Sequence, residues 1–357
     1  MDRKENPLDF LKGLLMLGVI YGHAVTALKG PYSVATPLAL LVRTYDMPFF
    51  MVISGYLLSK TVRKYPLGRH LANRVGGTVV PTVFLGGIFA VITYLFLGSF
   101  SLLNCVRYIL NIWFIWASVI SAVVILLVEH LISRDRFKLA VYALIAVALH
   151  FLPTDTYNLS YMFPFYVLGF LYSRYFAGFL EKRKALLPAA ICLYLVAFSF
   201  WKSDYTIWNA GGYVLENTRF VLGATAFRFG IAVLGCLWVK PLAYALYKLL
   251  QRDYPEMRRR ICSIGRYSLV YYIVHAFLVS QVLGTLVEIF CSRVASPAWI
   301  ENSLLLQLVI APFVCLITVL LIRVFVYVIE RFAPKAIQKL VFGIKFYDRG
   351  SEKLTVL

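Results

Sequence analysis

Continuous apolar stretches, each near the length of a membrane-crossing helix, dominate this chain. They fall near 8–28, 38–59, 78–97, 109–131, 137–153, 159–177, 185–201, 220–247, 267–290 and 303–329. About 20 mostly apolar residues cross the hydrocarbon core as a helix. In lipid every backbone polar group must be satisfied internally, so only helices and closed barrels span it. Barrel strands would alternate in polarity over about ten residues, and these blocks do not. The pattern therefore predicts an all-α, polytopic transmembrane helix bundle of about ten spans. The stretches at 137–153 and 185–201 are short, and those at 220–247 and 303–329 are long enough to tilt or to continue past the bilayer. The first block carries Asp9 and Lys12 and lacks a small-residue cleavage site, so it reads as a span rather than a cleaved leader.

Charge then orients the bundle. Of 357 residues 61% are hydrophobic and 15% charged, with 36 Lys and Arg against 17 Asp and Glu. In a soluble chain such a basic excess would suggest nucleic acid. Here the bases alternate with the spans. One set of loops holds Arg3 and Lys4; Lys60, Arg63, Lys64, Arg69 and Arg74; Arg134, Arg136 and Lys138; Arg174 and Lys182–Lys184; and Lys248 to Arg266. The segment 331–357 is a further basic tail. The opposite loops hold only Lys29, Arg43, Arg107, Lys202, Arg219 and Arg293. Basic residues collect in cytoplasmic loops, so both termini are expected in the cytoplasm. No nucleic-acid partner is expected, and the whole of 1–357 reads as one integral-membrane domain embedded in lipid. The six cysteines show no CxxC pair and fit no metal or disulfide framework. Oligomeric state is not legible.

Ionisable groups at membrane depth are costly and mark function or pairing. In the first span Lys12 and His23 are eleven residues apart, almost three helical turns, and so share a face about 16 Å apart along the axis. Asp9 and Lys12, three apart, can pair on that face. Asp46 opens the second span at the depth expected of His23, where a carboxylate could orient the imidazole and leave its other nitrogen basic. Arg69 and Arg74 lie in the basic loop before Pro81 and suit a phosphorylated ligand from the cytosol. Arg228 should face the bundle interior, and His275 and Trp113 join the polar core.

Asp9…Lys12-Gly13…Gly22-His23 resembles the first-helix signature of acyltransferase family 3, polytopic membrane acyltransferases of bacteria. Met47-Pro48-Phe49-Phe50…Ser54-Gly55-Tyr56 resembles the family's second-helix pattern. Arg74 before Pro81, Trp113-Phe114, Phe163-Pro164-Phe165 with Gly169, and Tyr272…His275 follow in order. The Lys12-Gly13 version looks most like the fucose-4-O-acetylase-type branch. Lys12 stands where many members have Arg, Asp46 where that branch often has His, and Gly77 where a second base is common.

The resemblance implies a multi-pass protein of the bacterial inner membrane. Its activity would be transfer of an acyl group, commonly acetyl, from cytoplasmic acetyl-CoA or another acyl-CoA to a hydroxyl of a surface glycan or lipid-linked saccharide. The acyl-CoA is a substrate; no bound cofactor and no metal are implied. On this reading His23 is general base or acyl relay and Asp46 orients it, while Lys12, Arg69 and Arg74 meet the donor's phosphates. The main rival is a transporter or flippase, for which buried charges are equally natural, although no inverted repeat is visible. A purely structural subunit leaves the polar face of the first helix unexplained.

Overall fold

The computed structural model describes residues 6–30, 36–151, 156–176, 186–201, 218–293 and 302–344. Arg3, Lys4, Lys182–Lys184, Lys202 and the 345–357 part of the tail lie outside them, as does the Arg219 side chain. Among the described residues the chain is helical without strands.

Helix α1 (Pro7–Lys29) shows why these segments start and stop where they do. Asn6 caps it by accepting the Leu8 N–H at 2.9 Å, Pro7 occupies the first turn, and Gly30 ends it at φ 55°. The chain continues through α2 (Pro37–Thr61), α3 (Leu67–Phe96), α4 (Leu102–Leu110), α5 (Trp113–Leu131), α6 (Asp135–Ala148) and α7 (Leu159–Leu171). Then come α8 (Leu186–Ser199), α9 (Thr218–Asp253), α10 (Pro255–Arg266), α11 (Ser268–Cys291), α12 (Ser303–Phe332) and α13 (Lys335–Phe342). Among the described residues seven helices are long and apolar enough to cross a membrane: α1, α2, α3, α5, Gly223–Asp253 of α9, α11 and α12. The stretches expected at 137–153, 159–177 and 185–201 form α-helices of 14, 13 and 14 residues, the first continued by a 3-10 turn at Leu149–Phe151 and the second by a π-helical turn at Tyr172–Phe176.

Two boundaries shift in ways that matter. The second span is broken at Thr44-Tyr45 into Pro37–Arg43 and Asp46–Thr61, which folds a short helix back onto α1. The basic segment before Pro81 is not a loop. It is the first part of α3, Leu67–Arg74, joined to the rest through a wide π-turn at Val75–Val79.

Contacts gather the helix ends at two levels. Asn6 with Cys262, His70 with His130, and Gly76 with Ile344 mark the end where α1 begins. Leu38 with Gln307, and Thr44 with Tyr194, mark the other. Close helix approach depends on paired glycines. A Cβ at Gly55 would strike the Tyr166 carbonyl, and one at Gly169 the Val52 carbonyl, so α2 and α7 pack backbone to backbone. Gly13 and Gly265 do the same for α1 and α10 against the Ile261 and Asp9 carbonyls. Small residues allow this where lipid leaves no hydrophobic drive for helices to associate.

Candidate active site

The Gly13–Gly265 crossing sets α1 beside the chain that becomes α11, and ten residues further on each helix carries a histidine. The rings of His23 and His275 meet edge to face with centroids 5.0 Å apart. His23 is half-buried, while His275 is fully buried. The His275 Nδ1–H donates to the Tyr271 carbonyl at 2.9 Å. A carbonyl only accepts, so neutral His275 keeps its lone pair on Nε2. That Nε2 is buried with no hydrogen-bond partner, an exception that asks for a reason.

Ser280 completes the group, its Oγ 3.3 Å from His23 Nδ1. It lies five residues beyond His275, which in an α-helix would turn it about 140° away. Here residues Ala276–Leu283 are π-helical, and the wider i→i+5 turn brings residues five apart closer to one face. The widened segment thus places His275 and Ser280 on one face, toward His23. Behind them an aromatic chain runs from His275 to Tyr272 at 5.4 Å and on to Phe114 at 5.6 Å, with Trp113 against Phe114 at 5.8 Å.

Asp46, expected to orient His23, has another hydrogen-bond partner. Among the described residues no hydrogen bond or ion pair joins them, and the buried Asp46 carboxylate instead accepts the Met47 N–H at 2.6 Å. The physical reason is the break at Thr44-Tyr45, which inserts Arg43 between the two. Arg43 Nη2 donates to the Gly22 carbonyl at 2.8 Å and to the Thr26 hydroxyl, and its charge acts through space on Asp46. Asp46 therefore reaches the site through Arg43, which grips the backbone one residue before His23. Arg43 was counted above as an outer-loop charge, and nothing in the local sequence separates it from one.

The remaining expected residues divide by level. Lys12 and Asp9 pair at 2.8 Å, as their spacing implied. Arg74 Nη2 donates to the phenol oxygen of fully buried Tyr166 at 2.9 Å, and Arg69 stacks on Tyr65 at 5.0 Å. All four lie toward the α1-start end. Arg228 covers the face of Tyr161 at 4.2 Å, and its carbonyl accepts the Tyr161 hydroxyl. The structure thus brings His23 and His275 together but leaves Lys12, Arg69 and Arg74 at another level of the bundle.

One further cluster escaped the sequence reading. Glu129 accepts from Arg174 Nη1 and Lys138 Nζ, both at 2.9 Å, and from the Tyr142 hydroxyl at 3.0 Å, tying α5 and α6 to the π-helical end of α7 at Tyr172–Phe176. Lys138 and Arg174 had been read as topological charge. Among the described residues no group of three or more His, Cys, Asp or Glu side chains is placed to hold a metal ion.

Comparison with known proteins gives this arrangement a context. The chain is 29% identical over 185 residues to Nodulation protein NolL of Mesorhizobium japonicum, covering 48% of this chain and 49% of that protein. It is 26% identical over 228 residues to Nodulation protein NolL of Sinorhizobium fredii, covering 58% of this chain and 60% of that protein. The matches thus span about half to three-fifths of these relatives' lengths. No solved structure matches. The model of the acyltransferase domain, family 3, matches residues 6–326, and with nearly the whole chain so covered and its helices membrane-length, the protein belongs to acyltransferase family 3.

Proposed function

We propose that the protein is a multi-pass O-acyltransferase of the bacterial inner membrane, with both termini cytoplasmic. It moves an acetyl group from acetyl-CoA to a hydroxyl of a cell-surface or lipid-linked glycan, with His23 as general base. The observation that carries this reading is the His23–His275–Ser280 group: an accessible imidazole set against a buried histidine with an unused Nε2 lone pair.

A sugar hydroxyl is a weak nucleophile at neutral pH. In the proposed step its oxygen attacks the thioester carbonyl while the proton passes to the His23 imidazole. The C–S bond then breaks and the thiolate takes that proton as coenzyme A leaves, so His23 returns to its starting form. A positioned base contributes about 10²–10⁴ in rate. His275 Nε2 and Ser280 Oγ supply hydrogen-bonding positions around the ring, the part first assigned to Asp46. The Arg43 grip on Gly22 and Thr26 keeps α1 from shifting His23, since small misplacements of a catalytic group are costly.

Lys12, Arg69 and Arg74 suit the donor's phosphates at the α1-start end. His23 lies eleven residues along α1 from Lys12, about 16 Å, a span the extended pantetheine arm must bridge within the bundle. The test is label transfer. Purified protein with acetyl-CoA labelled in the acetyl group should release coenzyme A and carry label to a glycan acceptor. If vesicles containing the protein move a glycan across the membrane while purified protein neither cleaves acetyl-CoA nor transfers label, the transporter reading replaces this one.

A further inference from the structure

Arg323 sits in α12, nine residues before its end at Phe332 and about 13 Å along the helix axis from it. Its side chain is exposed, on a helix whose apolar face is presented outward by Leu320, Val324 and Tyr327 at 50%, 60% and 60% exposure. An arginine facing lipid at that depth is expensive and calls for a partner or a function. Within the protein its charge acts on the Tyr271 phenol, and among the described residues it makes no ion pair. Across the groove stands Arg260 of α10, also exposed and also without an ion pair among the described residues. Its neighbours differ: Arg252 pairs with Asp253, and Arg259 with Glu256, each at 2.8 Å.

These two guanidiniums and the three apolar side chains line one hollow of about 320 Å³. A second hollow of about 360 Å³, lined by Tyr254, Pro255, Met257 and Glu256, the last paired with Arg259, adjoins it at Arg260. The composition is specific: two cations beside an apolar wall of Leu320, Val324 and Tyr327, the last two nearer the end of α12 than Arg323. A long arginine stem lets Arg323 reach back toward the level of Arg260.

We propose that this groove between α10 and α12 holds an anionic phospholipid of the leaflet at the α1-start end. The phosphate lies between Arg260 and Arg323, and an acyl chain lies along Leu320, Val324 and Tyr327. A free phosphate would meet the same two cations but would leave that wall unused, and basic pockets against transmembrane helices suit lipid headgroups. The site stands apart from His23 and does not depend on the acyl-transfer reading.

The test reconstitutes the full chain in phosphatidylcholine alone or mixed with phosphatidylglycerol of the same acyl chains. Retained lipid is read by native mass spectrometry. Wild type should retain phosphatidylglycerol over phosphatidylcholine, and Arg260→Gln or Arg323→Gln should each weaken that retention roughly fivefold, as expected for one cation at a charged surface. Arg252→Gln should leave it unchanged. Arg323→Leu suits a lipid-facing helix, so its loss of preference would separate binding from misfolding. Inorganic phosphate or coenzyme A should not displace the lipid. No preference in wild type, full preference in the Arg260→Gln/Arg323→Gln double variant, or displacement by inorganic phosphate would each overturn the proposal.

Discussion

Replacing Glu129 by leucine tests whether the ion cluster at the α5–α6–α7 junction holds the bundle together. The Glu129 side chain is 4% exposed, and its partners Lys138 and Arg174 are 9% and 12% exposed. Leucine would fill much of the volume but remove the acceptor for two cations and for the Tyr142 hydroxyl. Breaking a buried pair by deleting one partner costs about 3–5 kcal/mol, because the remaining charge stays buried and uncompensated. Asp135 also reaches both cations, but it is 49% exposed, and such solvated pairs contribute about 1 kcal/mol or less. It cannot replace Glu129. The assay is equilibrium unfolding in mixed detergent, followed by tryptophan fluorescence, with Asp135→Asn as the comparison. Combining Glu129→Leu with Lys138→Met and Arg174→Met should restore stability, since an apolar replacement of a whole buried cluster is often neutral or better. A Glu129→Leu loss under about 1 kcal/mol, or a triple variant no more stable than the single one, would refute the reasoning.

Gly169→Ala should destabilise by about 1–3 kcal/mol, because its new methyl meets the Val52 backbone and cannot be accommodated by rotating a side chain; unfolding by the same assay checks it. Arg43→Gln should lower the transfer rate about tenfold or more while leaving acetyl-CoA affinity unchanged, since Arg43 braces α1 at Gly22 rather than meeting donor. His275→Asn should slow transfer more than Ser280→Ala, because only the first removes the buried Nε2; kcat for each variant decides this. At Asp135 the desolvation that raises its carboxyl is outweighed by Arg174, Tyr175 and Lys138 together, which hold it below the usual range. Its stabilising effect is present above the ordinary aspartate value of about 3.9. It is lost as pH falls through the depressed value, so Asp135→Asn should flatten the acid limb of an unfolding profile.

What could be read from the chain alone follows a physical division. Spacing along one helix is local, so the Asp9–Lys12 pair and the His23 face were legible. A histidine inside an apolar run draws attention by its cost, which is how His275 was found. Relations between helices are not local. The His23–His275 contact depends on Gly13 and Gly265 bringing two distant segments together, and Ser280 joins it only through a π-helical widening that no residue type announces. Arg43 was hidden because an outer-loop charge and a charge folded back onto α1 look alike until the Thr44-Tyr45 break is seen. The same blindness affected Lys138 and Arg174: topology explained their sign, so their pairing with Glu129 went unsought. Asp46 begins the second part of α2, and the residue of α2 that bonds to α1 beside His23 is Arg43.

The central claim is that His23 takes the proton of the acceptor hydroxyl. It is tested most directly by single-turnover transfer of labelled acetyl from acetyl-CoA to glycan, comparing wild type with His23→Ala in protein that binds acetyl-CoA equally well. The account requires transfer to fall about 10²–10⁴-fold in the variant while donor binding persists. Transfer by His23→Ala at the wild-type rate would contradict it.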